Sequence, residues 1–195
     1  MNKGNILFCG VGGQGIILAS EITAMTLINA GFDVKKSEVH GMAQRGGSVV
    51  AHMRYGEKVY SPLVEPGTAD IEVAFELLES LRYLAYLNEK SRVIVNTQKI
   101  LPLSVATGVE EYPADVIGEL RKRVASIYPL DAFDLAQSAG EIKATNLVLI
   151  GALSRFLPVS EDDFLRVIER RVPQRFVDVN VRAFIKGRES IQGEL

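Results

Sequence analysis

The sequence is poor in the residues that bind metals and form disulfides. It contains one cysteine, Cys9, and two histidines, His40 and His52, in 195 residues. An iron–sulfur cluster takes about four cysteine ligands, and one cysteine excludes an internal disulfide framework. The two histidines show no spacing typical of a zinc site. We therefore predict that this chain alone holds no metal, and that Cys9, within an apolar run, is a small buried hydrophobic residue.

Several catalytic motifs are also absent. No Gly-x-Ser-x-Gly nucleophile elbow occurs, and there is no Gly-Asp-Gly stretch of the kind that holds magnesium and thiamine diphosphate. The lysine of a phosphate-binding Walker loop is missing, because Gly15 is followed by Ile16 and Ile17. No group of residues forms a nucleophile, base and orienting partner, so we assign no catalytic residue.

Charge and hydropathy exclude two further classes of protein. The formal net charge is −2, which gives no general attraction to nucleic acid or to membranes. The one dense basic run, at 121–123, falls in the last turn of a predicted helix, where positive charge is favoured. No uncharged apolar run reaches 18 residues, and no signal peptide is recognisable. We expect a cytoplasmic protein with a single domain spanning residues 1–195.

Hydrophobic periodicity predicts strands that alternate with helices. The predicted strands lie at 6–9, 32–39, 48–55, 70–75, 92–96 and 125–130, and the predicted helices at 13–30, 76–87, 113–124, 131–139, 145–156, 160–172 and 173–186. A turn at 56–57 leading into 59–60 predicts a small hairpin. This pattern predicts an α/β fold with a doubly wound, Rossmann-like, mostly parallel sheet and a helical C-terminal third.

Two predicted helices have apolar residues beyond one face. The helix at 13–30 is apolar over most of its circumference, which predicts that it is covered on both sides. On a helical wheel, the helix at 76–87 directs Leu77, Leu81 and Leu84 to the core. Tyr83, Tyr86 and Leu87 fall on the opposite face, beside Glu76 and Glu79. Such a cluster is either exposed without consequence or part of an interface with another subunit.

The first glycine loop, residues 10–15, reads Gly-Val-Gly-Gly-Gln-Gly and connects a strand to a helix. Its glycines permit a tight turn and a close backbone approach, and the free N–H groups at the helix start favour an anion. We therefore predict that Gly10, Gly12, Gly13, Gln14 and Gly15 bind a cofactor or nucleotide. Glu38, near the end of the next strand, would suit the ribose of NAD. A purely architectural role for these glycines remains an alternative.

The second glycine loop, residues 38–48, follows the second predicted strand and should open at the same edge of the sheet. His40 and Arg45 offer donors to an anionic or carbonyl ligand, and Gln44 donates or accepts. The predicted site residues of this loop are Glu38, His40, Gly41, Gln44, Arg45, Gly46 and Gly47. For His40 the alternative is a loop histidine whose hydrogen bonds are satisfied internally.

These loops, together with two later segments, carry a resemblance to a known family. The segments are 10–15, 37–49 (Ser-Glu-Val-His-Gly-Met-Ala-Gln-Arg-Gly-Gly-Ser-Val), 60–63 (Tyr-Ser-Pro-Leu) and 69–84. They resemble the gamma subunits and gamma domains of 2-oxoacid:ferredoxin oxidoreductases. The Glu-Val-His-Gly-Met-Ala-Gln run most resembles the beta subunit of the indolepyruvate type.

The resemblance implies a specific place in a larger enzyme. Enzymes of this family convert a 2-oxoacid and coenzyme A to acyl-coenzyme A and carbon dioxide, and they pass two electrons to ferredoxin. Thiamine diphosphate, magnesium and the iron–sulfur clusters are then expected in a large partner subunit, which leaves this chain as the non-redox subunit, inactive alone. The alternatives are a stand-alone NAD-dependent dehydrogenase and a regulatory nucleotide-binding module.

Overall fold

The computed structural model describes residues 3–40 and 47–191, apart from the side chain of His40. Four predicted site residues, Gly41, Gln44, Arg45 and Gly46, therefore lie outside the described residues. The described strands are β1 (Gly4–Val11), β2 (Asp33–His40), β3 (Ser48–Gly56), β4 (Ile71–Ala74), β5 (Arg92–Asn96) and β6 (Ser126–Leu130). They form one sheet in the order β2-β3-β1-β4-β5-β6.

Five of these six strands run in the same direction. β1, β4, β5 and β6 pair in parallel, whereas β3 is antiparallel to both of its neighbours, β1 and β2. The carboxyl ends of β1, β2, β4, β5 and β6 therefore lie at one edge of the sheet, and β3 begins there. The predicted mostly parallel α/β fold is confirmed.

Eight helices are described. They are α1 (Ile16–Asn29), α2 (Glu79–Arg82), α3 (Leu103–Ala106), α4 (Val116–Arg121), α5 (Ala132–Ala139), α6 (Thr145–Ser154), α7 (Glu161–Arg171) and α8 (Val177–Ser190). The helical C-terminal third is confirmed, including the capping box in which Ser160 and Asp163 satisfy each other's backbone N–H groups. Within residues 3–40 and 47–191, no helix is long and apolar enough to cross a membrane.

The sheet carries a hydrophobic core on each face, because successive side chains of a strand point to opposite sides. Ile6 and Phe8 of β1 lie in the larger core, which α1 and α5 to α8 cover. Leu7 and Cys9 lie in the smaller core, which residues of α2 and α4 and the segments around them cover. Cys9 is fully buried, and burial raises the pKa of its thiol well above the ordinary value, as expected for a structural cysteine.

α6 and α8 cross at two glycines that let their backbones touch. A Cβ atom on Gly187 would lie 1.9 Å from the carbonyl oxygen of Val148, and one on Gly151 would lie 1.9 Å from that of Phe184. Neither backbone atom can move aside without shifting its helix. The C-terminal helices are therefore held at a separation that only glycine permits.

The small hairpin predicted at 56–60 is wrong. β3 ends at Gly56, and no strand is described between it and β4. The backbone N–H of Val59 donates to Asp33 Oδ2 at 2.9 Å instead of to a strand, and Tyr60 is 88% exposed. The antiparallel pairing of the sheet is made by β3 with β1 and β2.

The single helix predicted at 76–87 is also wrong. The chain forms the four-residue α2, then a 3-10 turn at Leu84–Tyr86, so a continuous helical wheel does not apply. Leu87 is fully buried in the smaller core, which contradicts its predicted place in an interface. Tyr83 and Tyr86 are half-buried and pack against the same core.

Two further expectations need correction. The helix predicted from 113 begins later, at Val116, because the side chain of Asp115 caps it by accepting from the Gly118 N–H at 2.8 Å. α1 is covered by α7 and the sheet but not on all sides, since Ile17, Met25 and Ile28 are 38%, 38% and 53% exposed.

Glu72, in the middle of β4, is a fully buried acid within the smaller-core face of the sheet. Neither of its carboxyl oxygens has a hydrogen-bond partner among the described residues. Burial raises the pKa of Glu72 well above its ordinary value of 4.5, because the interior disfavours the charged form. The folded protein therefore holds the Glu72 proton more tightly than the unfolded chain does.

Replacing Gly187 with alanine tests the close crossing of α6 and α8. An alanine normally stabilises a helix by about 1 kcal/mol relative to glycine. Here we expect Gly187→Ala to lower the free energy of unfolding by roughly 1–3 kcal/mol, since the added methyl group overpacks the crossing. Urea denaturation measures the change, with Lys186→Ala as a neighbouring control on α8. A more stable Gly187→Ala variant would contradict the proposed crossing.

Replacing Glu72 with leucine should reverse a pH-dependent cost. As the pH rises above the ordinary pKa of 4.5, the unfolded chain loses this proton more readily than the folded protein, so this group lowers wild-type stability with rising pH until the raised pKa of the folded state is passed. Glu72→Leu removes that loss. Chemical denaturation from pH 4 to pH 8 should show that the free energy of unfolding of the variant increases relative to that of the wild type as the pH rises. A constant difference across this range would mean that Glu72 ionises normally in the folded protein.

Candidate functional site

The two glycine loops meet at the carboxyl edge of the sheet. Val11, at the end of β1, pairs with Ser48, at the start of β3. Just outside the two strands, the N–H of Gly12, which follows β1, donates to the carbonyl of Gly47, which precedes β3, at 2.8 Å. The described end of the second loop is thus joined directly to the first loop, as expected from their common edge.

Three glycines of the first loop have a conformational or packing reason for their identity. A Cβ on Gly10 would lie 2.7 Å from Phe75 Cβ, and one on Gly15 would lie 2.9 Å from Asn146 Nδ2. Gly13 and Gly15 also have φ values of +103° and +81°, which favour glycine. These facts support the architectural alternative for Gly10 and Gly15. Gly13 differs, because the space beside it is open.

The Gln14 side chain turns inward instead of toward solvent. Its Oε1 accepts from the Val11 N–H at 2.8 Å, and its Nε2 donates to the Phe75 carbonyl at 2.9 Å. Gln14 therefore closes its own loop and ties the end of β1 to the segment after β4. Its predicted contact with a ligand stays a prediction.

The start of α1 has the features of an anion-binding helix terminus. Gly15 occupies the N-cap position without a side-chain hydrogen bond, and no acidic residue lies in the first turn. The first backbone N–H groups of the helix therefore receive no side-chain cap from Gly15 and carry the positive end of the helix dipole. Together with the open space beside Gly13, this end of the loop is suited to a phosphate group.

Glu38 lies on the wrong strand for an NAD-type site. In a dinucleotide-binding fold, the acid that contacts the ribose follows a strand next to the glycine-loop strand. Here β3 separates β2 from β1, so the Glu38 backbone is about 10 Å from β1, two strand spacings away. The Glu38 carboxylate also forms an ion pair with Lys36.

A polar cluster beside the loop junction was not predicted. Ser48 Oγ donates to a carboxyl oxygen of Glu79, and the Tyr83 hydroxyl lies 3.1 Å from Ser48 Oγ. Arg82 Nε lies 3.1 and 3.2 Å from the two carboxyl oxygens of Glu79. Burial raises the pKa of Tyr83. Sequence reasoning assigned Glu79 to an exposed helix face, yet it is only 4% exposed.

Glu76 forms a second buried contact network on the same segment. Its carboxylate accepts from the Glu79 N–H at 2.9 Å, from the Ile100 N–H at 3.0 Å and from the Tyr112 hydroxyl at 3.0 Å. The acid therefore joins the start of α2 to the chain that follows β5. A charged residue flanked by apolar ones was the only signal of this role in the sequence.

The remaining candidates for metal or acid–base chemistry have structural contacts. His52 is buried, its Nδ1 accepts from the Val64 N–H at 3.2 Å, and burial lowers its pKa. Cys9 Sγ lies 3.7 Å from the Glu79 carbonyl oxygen. Across the described part of the chain, no three His, Cys, Asp or Glu side chains are grouped as a metal site would need.

A depression of the described surface lies at the other end of the sheet. It has a volume of about 950 Å³ and is lined by polar residues around the start of β1 and the end of β3, among them Asn5, Arg54 and Asp70. Arg54 is already engaged there, with Nε donating to Asn5 Oδ1 at 3.0 Å. We place the candidate site at the loop junction, where glycines, a helix start and buried acids converge.

Known proteins resemble this chain over nearly its whole length. Residues 5–190 match the family described as pyruvate ferredoxin/flavodoxin oxidoreductase. The indolepyruvate oxidoreductase subunit IorB of Thermococcus kodakarensis is 43% identical over 194 residues, covering 96% of this chain and 95% of that protein.

Solved structures show the same fold. The gamma subunit of the keto/oxoacid ferredoxin oxidoreductase of Geobacter sulfurreducens superposes with a TM-score of 0.71, at 24% identity over 96% of this chain and 97% of that one. The 2-oxoglutarate:ferredoxin oxidoreductase of Magnetococcus marinus gives a TM-score of 0.76 at 21% identity over 97% of this chain, which corresponds to 31% of that longer chain.

The resemblance expected from the loop sequences is therefore confirmed, at an identity and coverage that establish common family membership. This chain belongs to the pyruvate ferredoxin/flavodoxin oxidoreductase family and is a subunit of a 2-oxoacid:ferredoxin oxidoreductase.

Proposed function

We propose that this chain is the non-redox subunit of a cytoplasmic enzyme that oxidatively decarboxylates an aryl pyruvate, such as indolepyruvate, with coenzyme A. A large partner subunit supplies thiamine diphosphate, magnesium and the iron–sulfur clusters, and ferredoxin accepts the electrons. The 43% identity to an indolepyruvate oxidoreductase subunit supports this choice of substrate. This chain contributes binding and shape and is inactive alone.

The observation that carries the proposal is the junction of the two glycine loops. The Gly12 N–H bonds the Gly47 carbonyl at 2.8 Å, so the uncapped start of α1 and the end of the second loop belong to one surface. Open α/β sheets bind ligands at this edge, outside the carboxyl ends of their strands. Gly13 is exposed on this surface, and Gly12, Gly15 and Gly47 are partly exposed.

The junction suits the polar part of coenzyme A. The diphosphate of coenzyme A is an anion, and the uncapped N–H groups at the start of α1 favour one. On the second loop, Arg45 supplies a permanent positive charge and His40 a titratable one. In this proposal the chain binds and orients the co-substrate, while the reacting carbon stays in the partner subunit.

The residues of this chain do not fit an iron–sulfur cluster. Cys9 is the single cysteine of the sequence, it is fully buried, and Sγ faces the Glu79 carbonyl. A cluster takes about four cysteine ligands. The electron-transfer groups are therefore assigned to the partner subunit, and no step of electron transfer passes through residues of this chain.

The dehydrogenase alternative is weaker than the subunit assignment. It was based on the first glycine loop together with Glu38, and β3 separates these two features in the sheet. The regulatory alternative needs only the anion-binding helix start, so nucleotide binding without turnover would support it. Direct binding measurements separate these possibilities.

Isothermal titration of the purified chain with coenzyme A, NAD and NADP distinguishes the three functions. We expect weak or undetectable binding of NAD and NADP. The strand between β1 and β2 is β3, which is antiparallel and begins at this edge, so it brings no ribose-binding acid to the first loop. Any binding of coenzyme A should strengthen when the large subunit is present. Micromolar NAD affinity accompanied by turnover would contradict the proposed function.

Arg45→Ala tests whether the second glycine loop lines the site. Loss of one hydrogen bond to a charged group is worth about 1.5–3 kcal/mol, which lowers activity by roughly 10- to 150-fold. The variant is reconstituted with the large subunit, and 2-oxoacid-dependent reduction of a viologen dye is measured at matched assembly. Folding is checked by thermal denaturation of the same preparation.

Arg45→Lys is the matched control. If Arg45 only pins the loop through an internal ion pair, lysine should keep most of the activity. If Arg45 makes a bidentate contact with an anion, lysine should restore little, because it lacks the planar fork of donors. Full activity of Arg45→Ala would remove the loop from the proposed site.

A further inference from the structure

Glu79 occupies an unusual position for a charged residue. It is 4% exposed, it lies in a helix of only four residues, and that helix follows β4, next to the end of β1 in the sheet. A buried carboxylate is costly unless it is paired and hydrogen-bonded. The groups that pair with the Glu79 carboxylate therefore indicate its role.

The Glu79 carboxylate contacts Arg82 on the same helix and Ser48 at the loop junction. Arg82 Nε bonds both carboxyl oxygens and supplies the compensating charge, with its own side chain half exposed. The other contact is the hydrogen bond that Ser48 Oγ donates to the carboxylate. Since a carboxylate only accepts, the Ser48 proton points to Glu79, and the Tyr83 hydroxyl, 3.1 Å from Ser48 Oγ, donates to Ser48 in turn.

Ser48 transmits this contact to the first glycine loop. It is the first residue of β3 and pairs with Val11, and the preceding carbonyl, that of Gly47, accepts from the Gly12 N–H. A Ser48 side chain fixed by Glu79 therefore fixes the position of the Gly47 carbonyl. The segment after β4 thus controls how the two loops meet, although it belongs to neither loop.

We propose that Glu79, held by Arg82, is a positioning residue that sets the Gly12–Gly47 junction through Ser48 for binding of the co-substrate. The role in binding rests on the proposed function, whereas the role in fixing the junction does not. Glu79 acts through Ser48 and touches no ligand. The acid is buried at this place because a flexible exposed side chain would not hold Ser48 in one position.

The first measurement is hydrogen exchange at the Gly12 amide, read by mass spectrometry of peptides spanning residues 9–15, in the full chain and in the assembled complex. Ser48→Ala and Glu79→Ala should each speed exchange about tenfold, and the double variant should add little, since each removes the Ser48–Glu79 contact; glutamine at position 79 would keep an acceptor for the Ser48 hydroxyl. Ser80→Ala is the matched control: Ser80 is buried and adjacent to Glu79 in sequence, but its hydroxyl donates to the Leu77 carbonyl at 2.6 Å and not to Glu79.

The second measurement is kcat and KM for coenzyme A in the reconstituted enzyme at matched assembly. Ser48→Ala should raise KM about fivefold to tenfold with a smaller change in kcat, and Ser48→Thr should restore both values because it keeps the hydroxyl at a strand position that suits threonine. Ser80→Ala should leave both constants unchanged. Thermal denaturation of every variant detects any that fail to fold, and Tyr83→Phe provides a milder variant of the same cluster.

The two measurements separate failure of this proposal from failure of the proposed function. Gly12 exchange in Ser48→Ala and Glu79→Ala equal to that in Ser80→Ala would overturn the positioning role of Glu79. Faster exchange together with unchanged kinetics would support the positioning of the junction but would count against the assignment of the co-substrate site to it.

Discussion

Buried backbone groups at the ends of parallel strands need hydrogen-bond partners. In this protein, amide side chains provide those partners at the carboxyl edge of the sheet, and the arrangement of that edge depends on them. An unsatisfied buried group costs about 1–3 kcal/mol. The Phe75 carbonyl, just after β4, accepts from Gln14 Nε2 at 2.9 Å and from Asn96 Nδ2 at 3.0 Å. Asn96 Oδ1 in turn accepts from the Ala132 N–H at 3.1 Å. Four successive strand ends are thereby joined through amide side chains.

Whether a buried acid of this segment has hydrogen-bond partners depends on its position relative to the end of β4. Glu76 and Glu79 follow the end of β4, where loop N–H groups and hydroxyls can reach them, and both have several partners. Glu72 lies within the strand, its carboxyl oxygens have no hydrogen-bond partner among the described residues, and burial raises its pKa. A buried glutamate therefore joins neighbouring segments at the strand end, whereas at the strand centre its unpaired carboxyl destabilises the fold.

The parts of the fold that local pattern determines were predictable, and the parts that distant contacts determine were not. The capping box at Ser160 and the burial of β5 follow from neighbours in sequence. The break after α2 does not, because a helical wheel places Glu79 in solvent, whereas its partner Ser48 lies 31 residues away. For the same reason the glycines of the first loop were recognised, but the inward turn of Gln14 toward Phe75, 61 residues on, was not.

The insertion of β3 between β1 and β2 changes what the first glycine loop can recognise. In a dinucleotide-binding unit the neighbouring parallel strand brings an acid to the loop, and that acid selects a ribose. Here the neighbour is antiparallel, so the loop meets the beginning of β3 instead of the end of β2, and Glu38 is carried to the outer strand. The start of β3 brings Gly47 and Ser48 to the first loop. The uncapped start of α1 thereby keeps its preference for an anion, although Glu38 lies two strands away from β1.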